Sequence, residues 1–236
     1  MRGCLSFLVF AALLIGLALW FALPPAAAGL VGITLSAAGF DGRDTRVAVE
    51  AEPPLELLSG HADRLTIASS DVRTGSLTAA SFDLDLRDLD LLARSARATS
   101  GTLSDVTVTD ASGGSLRIRR IDIAGPTARA RATLVVDEAE IARRVLEAVS
   151  SAGLAVTSVS VDPPDGLVVE ALGRRVRAGL SVGTAGVIEL TLPALGPVPI
   201  VAPPPNLGAT FDSVTVAADH SVVIDATMDL RSILGG

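Results

Sequence analysis

Lysine and tyrosine are missing from this chain of 236 residues, and cysteine occurs once. All 19 basic residues are therefore arginine, a bias expected of a high-GC bacterial genome and not of a mechanism. A lone Cys4 excludes a disulfide framework or a cysteine-built zinc site within one chain. It sits at the edge of an apolar run with no apolar stretch before it, so a lipoprotein cysteine is excluded and an inert membrane cysteine is expected. The two histidines, His61 and His220, lie in no metal-ligand spacing and read as solvated turn residues. No Gly-x-Ser-x-Gly elbow, Ser-x-x-Lys pair or phosphate-cradling glycine loop occurs. The chain is therefore expected to be no enzyme and to need neither metal nor cofactor.

Aromatic residues are scarce as well, at 3% against 49% hydrophobic. Trp20, Phe7, Phe10 and Phe21 fall near the N-terminus, which leaves Phe40, Phe82 and Phe211 for the rest. An interior of Val, Leu, Ile and Ala either packs thinly or leaves room for a ligand. A net charge of −7 argues against nucleic acid as a partner, because phosphate binding needs a concentrated positive surface. Beyond residue 40, residues 111–180 are the one third that holds more arginines than acids.

What is present begins with an uncharged run from Cys4 to Leu23, long enough to span a bilayer as a helix. Arg2 precedes it and Arg43 is the next arginine, so the N-terminus is placed in the cytoplasm and the rest outside. The competing reading is a signal peptide cleaved at Ala26-Ala27-Ala28, which would leave a secreted protein. The expected division is an anchor or signal over 1–29, a linker over 30–45 and one β-rich domain over 46–236.

Beyond Arg46 the dominant pattern has period two. Ala128, Ala130, Ala132, Leu134 and Val136 alternate with polar residues, as do Val176, Ala178, Leu180 and Val182, and Val222, Ile224, Ala226, Met228 and Leu230. Such alternation marks antiparallel strands with one covered face. Some strands slip phase once, at Arg87-Asp88, at Arg119-Arg120 and at Thr157-Ser158. Each slip is either a β-bulge that bends a strand or a turn between two short strands. One segment is helical: Asp137 and Glu140 resemble a capping box, Ile141, Val145, Leu146 and Val149 follow at helical spacing, and Gly153 ends it. A shorter helix is expected over Pro54–Ser59, closed by Gly60. Six of the 13 prolines fall between Pro193 and Gly208, which makes that stretch an apolar loop or sheet edge.

Two clusters invite a chemical reading. Asp83, Asp85, Asp88 and Asp90 offer the carboxylates of a glycosidase, but they alternate with Phe82, Leu84 and Leu86 and read as a wet strand face. Arg117, Arg119 and Arg120, with Arg129 and Arg131, would form a positive patch if their strands pair as a hairpin, extended by Arg174, Arg175 and Arg177. Guanidinium forks suit a phosphate headgroup.

Four stretches carry a resemblance: PPLELLSGHADRLTIASSDV, then SFDLDLRDLDL and SLRIRRIDI, then ARARATLVVDEAEIARRVLEAV, and near the end FDSVTVAADHSVVIDATM. Their order, over residues 46–230, resembles the LmeA-like phospholipid-binding family of bacterial envelopes. The resemblance implies an extracytoplasmic phospholipid-binding protein with a curved sheet around a helix.

The expected fold is α+β and β-dominated, a strongly curved antiparallel sheet around one main helix, preceded by a membrane helix. Ile141, Val145, Leu146, Val149, Phe82 and Leu84 are the expected groove, and Arg117, Arg119, Arg129 and Arg131 the expected contacts of a phospholipid headgroup, anionic if the patch forms. The function expected is non-catalytic phospholipid binding at the outer face of the membrane. The alternative is an anchored interaction module with a closed core.

Overall fold

A computed structural model gives the fold over residues 22–231, apart from 38, 94, 110–113, 152–154, 164–165, 172, 194–195 and 204–207. Two antiparallel sheets make up most of it. The large sheet has eight strands in the order β1 (Asp41–Glu50), β2 (His61–Thr74), β3 (Leu77–Asp90), β4 (Ser95–Thr109), β5 (Ser115–Gly125), β6 (Ala130–Val136), β13 (Val222–Met228) and β12 (Ala209–Val216). The small sheet has five, in the order β11 (Gly196–Val201), β10 (Ile188–Leu192), β9 (Arg174–Val182), β8 (Gly166–Ala171) and β7 (Val156–Asp162). Helix α1 covers residues 22–37, and helix α2 runs Glu138–Ser151.

The expectation of one strongly curved sheet around one helix is thus corrected to two sheets. Alternation reveals which face of a strand is covered but not what covers it, so residues 156–201 could not be assigned a sheet of their own. Residues 30–45, read as a linker, hold the end of α1 and the start of β1. The anchor expected over 4–23 lies outside the described residues except for its last two positions. Among the described residues, no helix is long and apolar enough to cross a membrane.

The alternating segments became β6, β9 and β13, with Ala130, Ala132, Leu134 and Val136 buried beside Val222, Ile224 and Ala226. Pro54 opens a short 3-10 helix over Pro54–Ser59, and Gly60 closes it in the left-handed region at φ 83°. Pro197 and Pro199 lie in β11, an edge strand, where a missing N–H breaks no ladder on the open side. The two carboxylates that mark the start of α2 reach other elements. Asp137 pairs with Arg119 at 3.3 Å, and Glu140 accepts the backbone N–H of Arg117 at 2.9 Å.

The phase slips lie inside continuous strands, so the reading as paired short strands falls away. Asp71, Asp88 and Asp105 each adopt a left-handed conformation, with φ of 50°, 50° and 48°. Aspartate tolerates that region better than most residues because its short side chain can hydrogen-bond locally. Asp71 and Asp105 lie on one line across the sheet, whereas the Arg87-Asp88 slip lies on another, across from Asp63 and Arg97. With Ser70 opposite Ser81 and Val72 opposite Ala79, Asp71 falls across from Ala80, and Asp105 flanks Ala80 from the other side. Asp105 in turn falls across from Arg119 in β5. Four neighbouring strands change phase along one line, so register survives and the apolar set stays on one face.

That face is covered in two pieces. The main core joins residues of β2–β6, β12 and β13 to Ile141, Val145 and Val149 of α2 and to the small sheet. A second core of Val49, Ala62, Leu65, Ile67, Leu86, Leu89 and Ala96 lies under α1, whose Ala27, Ala28, Val31 and Leu35 pack on it.

Candidate functional site

The arginines expected to share a patch are set apart. β5 and β6 pair from Arg120–Val135 to Ala124–Arg131, so Arg131 faces Ala124. Arg117 is seven residues farther along β5, about 23 Å away at the usual strand rise. β5 outruns β6 by several residues, and Arg117 and Arg119 therefore lie beside the start of α2, not beside Arg129 and Arg131. Arg119 is engaged by Asp137 at 3.3 Å and Asp219 at 3.5 Å. Arg120 grips Asp122 at 2.8 Å, and Arg177 pairs with Asp162. The Asp122 carboxyl is held below the usual range, chiefly by the Arg120 hydrogen bond. These guanidiniums have carboxylate partners, and the four headgroup candidates do not converge.

The groove candidates divide. Ile141, Val145 and Val149 are packed in the main core at 2%, 0% and 0% exposure, while Leu146 is half-buried. Phe82 and Leu84 lie elsewhere, in the strip between the two cores. Phe82 packs against both cores and meets Phe40 edge-on, with ring centres 5.6 Å apart.

Cross-strand register builds that strip. Ile67 faces Leu84, Leu84 faces Gly101, and Gly101 faces Ile123. Leu84, Gly101 and Ile123 are half-buried, between the part of the face under α1 and the part under α2 and the small sheet. Gly101 is required by close approach, since a Cβ there would stand 2.9 Å from the Asp83 carbonyl and 3.0 Å from Leu84 Cδ1. Two residues before it, Thr99 is 3% exposed, and its Oγ1 is buried without a hydrogen-bond partner. A buried hydroxyl left unpaired costs about 1–3 kcal/mol. Neither Gly101, Thr99 nor Ile123 was singled out from the sequence. The break in SFDLDL-type alternation at Gly101 was the available signal.

A depression of about 460 Å³ is lined by the same rows, with Arg64, Thr66, Ala68, Asp83, Asp85, Ser100, Thr102 and Asp122 joining Ile67, Leu84, Gly101 and Ile123. Most of these belong to the polar alternate positions, and their charges are matched to one another. Arg64 holds Asp85 at 2.7 Å, Arg87 approaches Asp85 at 3.5 Å, and Thr102 donates to Asp122 at 3.0 Å. Hydrogen bonding to Arg64 is the main reason that the Asp85 carboxyl is lowered. The acidic run is thus dispersed: Asp85 is paired, Asp88 shapes the strand, and Asp90 accepts the N–H groups of Leu92 and Ala93 at 3.0 and 2.8 Å.

His61 Nδ1 lies 3.3 Å from the Ser59 hydroxyl, and Nδ1 of His220, in the β12–β13 turn, lies 3.3 Å from the Val161 carbonyl of β7. Among the described residues, no three of His, Cys, Asp and Glu gather as a metal site requires.

Comparison with family models, with curated proteins and with solved structures finds no match for this chain.

Proposed function

We propose that the chain is a non-catalytic phospholipid-binding protein of the bacterial envelope, and that an acyl chain lies along the half-buried strip of Phe82, Leu84, Gly101 and Ile123. The observation that carries this reading is the division of one apolar sheet face into two separately covered cores with an incompletely covered row between them. Each methylene removed from water there contributes about 0.8 kcal/mol. The apolar run from Cys4 to Leu23 and the resemblance to the LmeA-like family support a working place at the membrane. This reading moves the lipid from the helix stripe to the strip.

The rival, an envelope interaction module with a closed core, is favoured by one observation: Val145 and Val149 are wholly buried. Photocrosslinking separates the two. A phosphatidylcholine with a diazirine in its acyl chain, added to membranes holding the full chain, should label peptides containing Phe82–Leu84 and Ile121–Ile123. Labelling confined to residues 4–23 would leave the rival standing.

A further inference from the structure

The 3-10 helix at Pro54–Ser59 and the turn after β3 form one apolar tip. Leu55, Leu58, Leu91 and Leu92 are 45%, 68%, 37% and 81% exposed. The two segments are joined, since the Leu91 N–H donates to the Gly60 carbonyl at 2.7 Å and Leu92 lies over Gly60, where a Cβ would meet its Cγ at 2.7 Å. Leu57, by contrast, packs inward on the core beneath α1. Backbone donors at the tip are answered locally. Glu56 N–H donates to Pro53, Gly60 N–H to Leu57, and Leu92 and Ala93 N–H to the Asp90 carboxylate. An element entering an apolar phase needs that arrangement, because water is no longer there to satisfy its amides.

The course of α1 identifies what meets the tip. α1 ends beside the start of β1, with the Phe40 N–H donating to the Leu35 carbonyl. β1 starts opposite Arg73 and finishes opposite Arg64, toward the tip. α1 packs on the second core, whose Val49, Ala62, Leu86 and Leu89 lie toward the tip end of the strands, so from the start of β1 it runs back toward that end. Its sixteen residues span about 24 Å, against about 33 Å for β1. The uncharged run from Cys4 to Leu23 therefore joins the domain at the end that carries the exposed leucines.

We infer that this tip docks on the lipid bilayer, with Leu55, Leu58, Leu91 and Leu92 entering the headgroup boundary beside the point where the chain leaves the membrane. The inference rests on the membrane reading of the 4–23 run. Short apolar elements of this kind sit about 5–10 Å deep in that boundary. Glu52, Glu56, Asp63 and Asp90 stand close by in the chain or accept its tip amides, so neutral lipid is the better surface.

The test uses the full chain with Cys4→Ala, a dye on Leu92→Cys or Leu58→Cys, and vesicles of phosphatidylcholine with brominated acyl chains. Both labels should be quenched, while a label on Thr78→Cys, at the opposite end of β3, should not. Phosphatidylglycerol at low salt should weaken the quenching at Leu92→Cys. Labels at 92 and 78 that respond alike would overturn the inference. So would a label at 92 that is shielded only by added protein and never quenched by lipid, which would mark a protein partner. The two readings fail separately: quenching without strip crosslinks removes the acyl strip, and strip crosslinks without quenching remove the docked tip.

Discussion

Asp105 offers the sharpest test of how the large sheet keeps its face. It is exposed, with φ 48°, between Leu103 at 6% and Val106 at 0% exposure. Strict alternation would send Val106 outward, and the left-handed residue is what returns it to the core. Replacing Asp105 by Val leaves two options. A β-branched residue held in the left-handed region costs at least about 1–2 kcal/mol. Restoring extended geometry exposes Val106, at a cost of about 1.5–3 kcal/mol. The cheaper route sets the loss near 2 kcal/mol, which for a chain of this size lowers the melting temperature by about 4–8 °C. Asp105→Gly removes the steric penalty but adds roughly 0.5–1 kcal/mol of chain entropy to be lost on folding, so it should stay within about 1 kcal/mol of the parent. Thermal melts of the full chain in mild detergent, followed by circular dichroism, read both variants. The reasoning is refuted if Asp105→Val melts with the parent, or if Asp105→Gly is the more damaging change.

Gly101→Ala should destabilise by about 1–3 kcal/mol, because the new methyl meets the Asp83 carbonyl and Leu84 in a packed sheet; a denaturant midpoint equal to the parent's would mean that the strip is looser than drawn. Burial works to raise the Glu140 carboxyl, but hydrogen bonds from Arg143 and from the Arg117 N–H outweigh it and lower the pKa below its ordinary 4.5. Stability from Glu140 is then complete above the unfolded value and lost as pH falls through the folded one, so Glu140→Gln should flatten the drop in melting temperature between about pH 5 and 3.

The residues themselves show how far sequence reading could go. Alternation located β6, β9 and β13 because each has one covered face, and helical spacing from Ile141 to Val149 located α2. Pro54 and Gly60 marked the short helix for reasons local to the backbone. The arginine patch failed on a question that composition does not answer: register. β5 is longer than β6, so Arg117 and Arg119 run past their expected neighbours and meet Asp137 and Asp219 instead. The groove failed in part for a related reason. A stripe such as Ile141, Val145 and Val149 reads the same whether a sheet or a ligand covers it. Half of the tip was legible, as the short helix over Pro54–Ser59, but not its meeting with Leu91 and Leu92, which depends on how β2 and β3 pair.

The packing of α1 also bears on whether the N-terminal segment is kept. Cleavage at Ala26-Ala27-Ala28 would remove Ala27 and Ala28 from the second core and leave Val31 and Leu35 on a helix of about two turns. A helix that short is marginal by itself and relies on its packed face. The core beneath holds seven buried apolar residues, and among the described residues those packed against it besides α1 are Val47, Leu57, Phe82 and Leu84. Keeping residues 22–28 thus stabilises β1–β4, whereas losing them exposes Ala62, Leu65 and Leu89. The prediction is that the mature chain retains α1 whole. Intact mass of the protein recovered from membranes should place its first residue before Ala22. A mass that begins near Gly29, from a protein with an unchanged melting temperature, would show that α1 is dispensable and that the second core closes by other means.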